Sequence, residues 1–202
     1  LNGLRKDAVG LMGKGKGRLK GTAFVEDAAV PPENLVAFVR GFRDILDAHR
    51  LEYGMYGHAD VGCVHVRPLM DMRLPEHRDK IRPISDAVAR LAQEQGGLVW
   101  GEHGKGFRGE YVAQYFGPAL FDLLRQIKAT FDPDNVFNPG KLVTAAGTSL
   151  QVEPLDTIPF RGARDQLIEE RSAYAKASDC NGNGVCFHWD AAQEMCPSYK
   201  VT

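Results

Sequence analysis

Residues 52–69 hold two short strand-like runs around Asp60-Val61-Gly62, with helical stripes on both sides. This pattern limits the fold, because neighbouring strands joined by a tight turn can only pair antiparallel. Upstream, Leu35, Val39, Phe42 and Leu46 predict a helix over 33–48, following Pro31-Pro32. Downstream, Ile81, Ile84, Val88 and Leu91 predict a second helix that ends at Gly96-Gly97. Leu120, Leu124, Ile127 and Phe131 predict a third, stopped by Asp132-Pro133. Strands are expected near 22–28, 52–58, 63–69 and 98–100. The expected class is α+β: an antiparallel sheet with helices packed on it, then an irregular C-terminal tail.

Leu4, Ala8 and Leu11 predict a short amphipathic helix over 3–12. Gly13-Lys14-Gly15-Lys16-Gly17 then reads as a flexible basic loop. It lacks the preceding strand and the Gly-Lys-Ser/Thr ending of a phosphate-binding loop. A chain of 202 residues with 44% hydrophobic and 25% charged content can bury a real core. A net charge of -1 provides no broad basic field, which argues against a nucleic-acid partner. No apolar run is long enough to cross a membrane and no signal peptide is visible. The first residue is Leu1, which suggests that something upstream has been cut away.

After Lys141 the composition changes. Gly147, Pro154, Pro159 and Gly162 mark a linker over 144–164, with a helical piece over 165–176. The expected units are 1–145, a linker with a short helix at 146–178, and a cysteine-bearing segment at 179–202. Cys180, Cys186 and Cys196 crowd into that segment, whereas Cys63 stands alone. Clustered cysteines fit metal or cluster ligands in a reducing compartment better than a disulfide framework, so a cytoplasmic location is expected.

The run Gly57-His58-Ala59-Asp60-Val61-Gly62-Cys63-Val64-His65 carries the first chemistry. A two-residue turn at Val61-Gly62 would set His58 directly opposite His65. Opposed Cβ atoms lie about 4.5–5.5 Å apart, close enough for two imidazoles to share a metal ion. Glu102, in Trp100-Gly101-Glu102-His103-Gly104-Lys105-Gly106, is the best third donor. The neighbouring His103 is then free to move a proton. The plain alternative is two ordinary hairpin histidines and a solvated loop carboxylate. Two other readings fit part of the pattern: a metal-dependent hydrolase using the same three residues, and a non-catalytic interaction module.

Three ordered motifs carry a resemblance over roughly residues 1–145. They are Gly57-His58 through His65, Gly101-Glu102-His103-Gly104-Lys105-Gly106-Phe107-Arg108, and Phe131-Asp132-Pro133-Asp134-Asn135 through Asn138-Pro139-Gly140-Lys141. Together they resemble the C-terminal cap domain of vanillyl-alcohol-oxidase-type FAD enzymes, in the D-lactate, glycolate and D-2-hydroxyglutarate dehydrogenase branch. The tail resembles the start of a two-cluster ferredoxin module, with Asn183 where the middle cysteine of the usual run stands.

The resemblance implies an FAD-dependent dehydrogenase of a small D-2-hydroxyacid. It implies that His58, His65 and Glu102 bind zinc or manganese and that His103 is the general base. It places Arg5 on a substrate carboxylate, and Asn138, Lys141 and Arg108 near the flavin. Asp60, Val61 and Cys63 depart from the family's Gly, Asp and Asn. Cys63 reads as a packed hairpin thiol. Arg67 stands where relatives carry a substrate-contacting Asn, and an extra cation there favours a dicarboxylate. Cys180, Cys186 and Cys196 are implied ligands of 4Fe-4S clusters in the full-length protein, passing electrons to an acceptor that the sequence does not name. Peripheral membrane association of the intact enzyme is compatible with this reading. The fragment alone is expected neither to bind FAD tightly nor to turn over substrate.

Overall fold

In the computed structural model one long strand organises everything else, and the residues described are 19–104 and 106–157. Strand β4 (Cys63–Met70) has antiparallel partners on both edges. One edge takes β3 (Tyr53–His58) along six residue pairs. The other takes two short strands, β1 (Lys20–Gly21) against Leu69 and Met70, and β2 (Ala28–Ala29) against Cys63 and Val64. The observed class is the expected α+β arrangement.

Helix α1 (Leu35–Ala48) buries Phe38, Phe42 and Leu46, one stripe at helical spacing. Each such side chain stabilises the fold by about 1.5–3 kcal/mol through burial. After the single turn α2 (Pro75–Arg78), helix α3 (Ile81–Glu94) buries Ile84, Val88 and Ala92 on its own stripe. Gly41 lets α1 and α3 approach closely, since a Cβ there would meet the Leu91 side chain at 3.0 Å. Both stripes share a core with Val64, Val66 and Met70 of β4.

The hairpin register differs from the expected one. His58 pairs with Cys63, and His65 pairs with Tyr56. The connection is a four-residue turn over 59–62, in which Val61 N–H donates to the His58 carbonyl. Gly62 is left-handed at φ 67°, and a Cβ there would overlap the Val30 carbonyl. The slip is two residues. Side chains alternate with period two, so His58 and His65 stay on one face, now as diagonal neighbours.

Two expected strands are shorter than predicted. Instead of one strand over 22–28, pairing with β4 occurs at 20–21 and at 28–29, and Asp27 turns left-handed at φ 74° just before the second. Over 98–100 a single bridge forms, between Leu98 and Ala29. Beyond it the backbone N–H groups bond to Asp27 rather than to a strand.

Helix α4 (Val112–Phe131) starts earlier than predicted and kinks at Gly117, φ 73°, with Pro118 opening its second part. Leu120, Leu123, Ile127 and Phe131 form a stripe that points outward, Phe131 at 82% exposure. No helix among the described residues is long and apolar enough to cross a membrane.

Asp132 closes α4. It takes the Lys128 ammonium and the N–H groups of Val136, 2.8 Å, and Phe137, 3.0 Å. The Lys128 bond, followed by the two backbone bonds, holds its carboxyl below the usual range. A folded-state pKa that is depressed stabilises the fold at neutral pH, and the contribution disappears as pH falls through that value. Asp132→Asn is therefore expected to lower the denaturation midpoint at about pH 7 and to match wild type in strong acid. A midpoint difference that persists unchanged into acid would disprove this.

The expected linker does not begin at residue 146. Ala145 and Leu155 are buried, at 0% and 1% exposure. Leu155 N–H donates to Glu110, and Arg82 of α3 pairs with both Glu110, 2.8 Å, and Asp156, 3.1 Å. These bonds bring the chain back onto the domain as far as Thr157. The helices expected at 3–12 and 165–176, Arg5, Cys180, Asn183, Cys186 and Cys196 lie outside the described residues.

Candidate active site

Four segments meet above one end of the hairpin. Strand β4 contributes Cys63, His65 and Arg67, alternate residues on one face. Strand β3 contributes Tyr56 and His58. The loop after Leu98 contributes Glu102 and His103, and the turn before β2 contributes Glu26 and Asp27. One Glu102 carboxylate oxygen lies 2.7 Å from His65 Nε2, 3.3 Å from His58 Nε2 and 3.5 Å from His103 Nε2. The sequence-predicted donors therefore converge. The His58 and His65 rings are edge to face with centroids 5.3 Å apart, and His65 stacks on His103 at 5.0 Å.

The environments of the three imidazoles differ. His65 is 1% exposed and its Nδ1 has no hydrogen-bond partner among the described residues. That nitrogen is 3.7 Å from Glu26 Oε1. An imidazole with Nε2 aimed at a donor cluster and Nδ1 towards a carboxylate has the arrangement of a metal ligand. His103 is half exposed, with Nδ1 3.9 Å from Asp27 Oδ1. Two imidazoles and a carboxylate are the donor set that suits a divalent cation with open positions, so the residues fit such an ion.

Arg67 is bonded to Glu26 through Nε, 2.7 Å, and Nη2, 3.2 Å. Arg108 donates to the Glu26 and Gly104 carbonyls, and burial pulls its guanidinium below its usual pKa. Asn138 is exposed and left-handed at φ 49°. Lys141 pairs with Glu153.

Sequence reasoning missed Glu26 and Asp27 as site residues. The available signal was an acidic pair directly after the apolar run Ala23-Phe24-Val25. Cys63 is buried, 3.6 Å from Asp27 Oδ1 and 3.9 Å from His65 Nε2. Burial, reinforced by Asp27 and Glu102, pushes its thiol up to about 12. Burial likewise raises the phenol of Tyr56, whose ring lies 4.7 Å from that of His65.

A mixed sheet-and-helix domain presenting this cluster at a hairpin end is matched by one family model. FAD linked oxidases, C-terminal domain, matches residues 1–142, and the chain belongs to that family. It is 48% identical over 201 residues to a D-2-hydroxyglutarate dehydrogenase of Pseudomonas putida, covering 98% of this chain and 20% of that protein. The same figures hold against the D-2-hydroxyglutarate dehydrogenase of Escherichia coli strain K12. A D-lactate dehydrogenase of Archaeoglobus fulgidus is 36% identical over 119 residues, 59% of this chain and 26% of that protein. The chain thus spans about a fifth of the D-2-hydroxyglutarate dehydrogenases it matches.

Proposed function

We propose that the chain is the substrate-side part of an FAD-dependent D-2-hydroxyacid dehydrogenase, with D-2-hydroxyglutarate as the leading substrate. The convergence of His58, His65 and Glu102 on one point, with His103 beside it, carries this reading. The identity to D-2-hydroxyglutarate dehydrogenases over 98% of the chain supports it. So does the outward apolar stripe of α4, since uncovered apolar surface of this kind fits a domain that packs against more protein.

In this reading a divalent metal, zinc or manganese, supplies Lewis acidity and the flavin supplies the two-electron acceptor. His58, His65 and Glu102 would hold the cation, their Nε2 atoms and carboxylate oxygen being the donors that converge. His103 accepts the proton of the substrate's 2-hydroxyl at Nε2, leaving a 2-oxoacid once C2 has given up its hydride. Arg5 takes the carboxylate next to C2. Asn138, Lys141 and Arg108 border the flavin, most of whose site belongs to sequence outside this chain. The cap unit takes in residues 1–145 together with the stretch that returns onto it as far as Thr157. Beyond the linker, Cys180, Cys186 and Cys196 begin an iron–sulfur segment in the full-length protein. A cytoplasmic enzyme, with at most peripheral membrane contact, fits this arrangement.

Arg67 would hold the second carboxylate of a diacid. Its Nη1 has no hydrogen-bond partner among the described residues, and Glu26 fixes the other side of the fork. The intact protein is expected to oxidise D-2-hydroxyglutarate with release of 2-oxoglutarate. Arg67→Met is expected to raise KM for D-2-hydroxyglutarate by about 10–100-fold while leaving KM for D-lactate nearly unchanged. Equal effects on the two acids would remove Arg67 from the substrate site. Absence of any 2-hydroxyacid oxidation by the flavin-loaded protein would overturn the function itself.

A further inference from the structure

We propose that Asp27 is the positioning residue of this site. Its buried carboxylate fixes the 101–103 loop so that Glu102 and His103 face His58 and His65. The functional consequence rests on the metal reading above, whereas the geometry rests on hydrogen bonds alone.

Asp27 is 0% exposed and left-handed at φ 74°, a conformation that Asp tolerates better than most residues. All its polar groups are engaged. Its N–H donates to the Val64 carbonyl at 3.2 Å, which ties it to β4. Its carbonyl accepts the Gly101 N–H at 2.7 Å. Its Oδ1 and Oδ2 share the Glu102 N–H, at 2.9 and 3.1 Å, and Oδ2 accepts the His103 N–H at 2.9 Å. Three consecutive amides therefore end on one residue, which is itself bonded to the strand that bears His65.

No sheet ladder does this job. Among the described residues the only strand pairing upstream is the Ala29–Leu98 bridge, and downstream Arg108 reaches the Gly104 carbonyl at 3.0 Å. The close approach also explains Gly101, where a Cβ would sit 3.0 Å from Cys63 Sγ and 3.3 Å from Asp27 Oδ1. Successive N–H groups folded around an anion form a preorganised concavity, and here the anion is the protein's own. Glu102 and His103 are adjacent on this short loop, so anchoring their amides sets where both side chains start. A shift of about 1 Å at such a loop is enough to misalign donors that must meet at one ion.

The test uses full-length Asp27→Asn and Asp27→Gly. Asparagine tolerates the left-handed backbone but offers one acceptor oxygen where two amides arrive. Glycine keeps the backbone and the carbonyl bond to Gly101 while removing both carboxylate oxygens. Hydrogen–deuterium exchange is expected to speed up about tenfold or more at Glu102 and His103, with the amides of α1 unchanged. Zinc affinity, measured by chelator competition, is expected to fall by about 10–100-fold, more for glycine than for asparagine. Unchanged exchange at 101–103 in either folded variant would overturn the proposal. Equal acceleration throughout α1 would also overturn it, by making Asp27 a residue of general stability. Wild type that binds no zinc would sink the metal reading, while the exchange result would still decide the role of Asp27.

Discussion

Glu102→Ala is expected to lower zinc or manganese affinity by more than about 10²-fold and kcat/KM of the intact enzyme by about 10³-fold. The geometry is the reason. Among the described residues, Glu102 is the one whose oxygen approaches all three imidazoles, at 2.7, 3.3 and 3.5 Å. Without it, the His58 and His65 Nε2 atoms lose the carboxylate oxygen that both approach. Loss of Lewis-acid stabilisation worth about 4 kcal/mol corresponds to about three decades of rate. Glu102→Gln keeps one oxygen donor but not the charge, and should fall between wild type and alanine. The α1 and α3 cores do not include Glu102, which is exposed, so the thermal midpoint should barely move. Metal content by elemental analysis and steady-state kinetics on the same preparations check this. A variant that retains its metal and stays within about threefold of wild-type kcat/KM would remove Glu102 from the site.

Which parts of this arrangement were legible beforehand follows from the range of the forces involved. The α1 and α3 stripes are local patterns, so Phe42, Leu46, Ile84 and Val88 announce their buried faces in sequence. The hairpin was legible to within two residues, and that error was harmless because a two-residue slip keeps His58 and His65 on one face. A one-residue slip would have separated them. Periodicity also marks the later part of α4, but not that its stripe faces outward, since burial depends on what else packs there. Leu155 was hidden for a related reason, because its anchoring depends on Glu110, forty-five residues earlier in sequence. Asp27 was the least legible. Its role lies in backbone bonds to residues seventy-five and seventy-six positions away, and no local spacing encodes those. Residue type, the hairpin spacing and the ordered motifs pointed to the histidines and Glu102, because few side chains can bind a metal. The carboxylates that hold those residues in place look like ordinary surface acids until the fold is known.

His103→Ala is expected to separate the two tasks that adjacent residues share. General-base catalysis contributes about 10²–10⁴-fold, so kcat of the intact enzyme should fall by that range. Zinc affinity should move by less than about threefold, since removing a base leaves the ligands intact. The structure makes this a real question. His103 Nε2 is 3.5 Å from Glu102 Oε1, and His103 also belongs, with Glu26 and His65, to a group of donors within 4.8 Å of one another. By distance alone it qualifies as a ligand. Its surroundings argue otherwise. Both His65 and His103 have a carboxylate near Nδ1, Glu26 at 3.7 Å and Asp27 at 3.9 Å, but His65 is buried whereas His103 is half exposed and stacks flat on His65. A proton acceptor needs such access, because the proton it takes has to leave again before the next turnover. If His103→Ala instead loses metal as completely as Glu102→Ala, then His103 is the third ligand and the base lies elsewhere. If kcat falls and the metal stays, the neighbouring pair divides the work, with Glu102 holding the cation and His103 taking the proton.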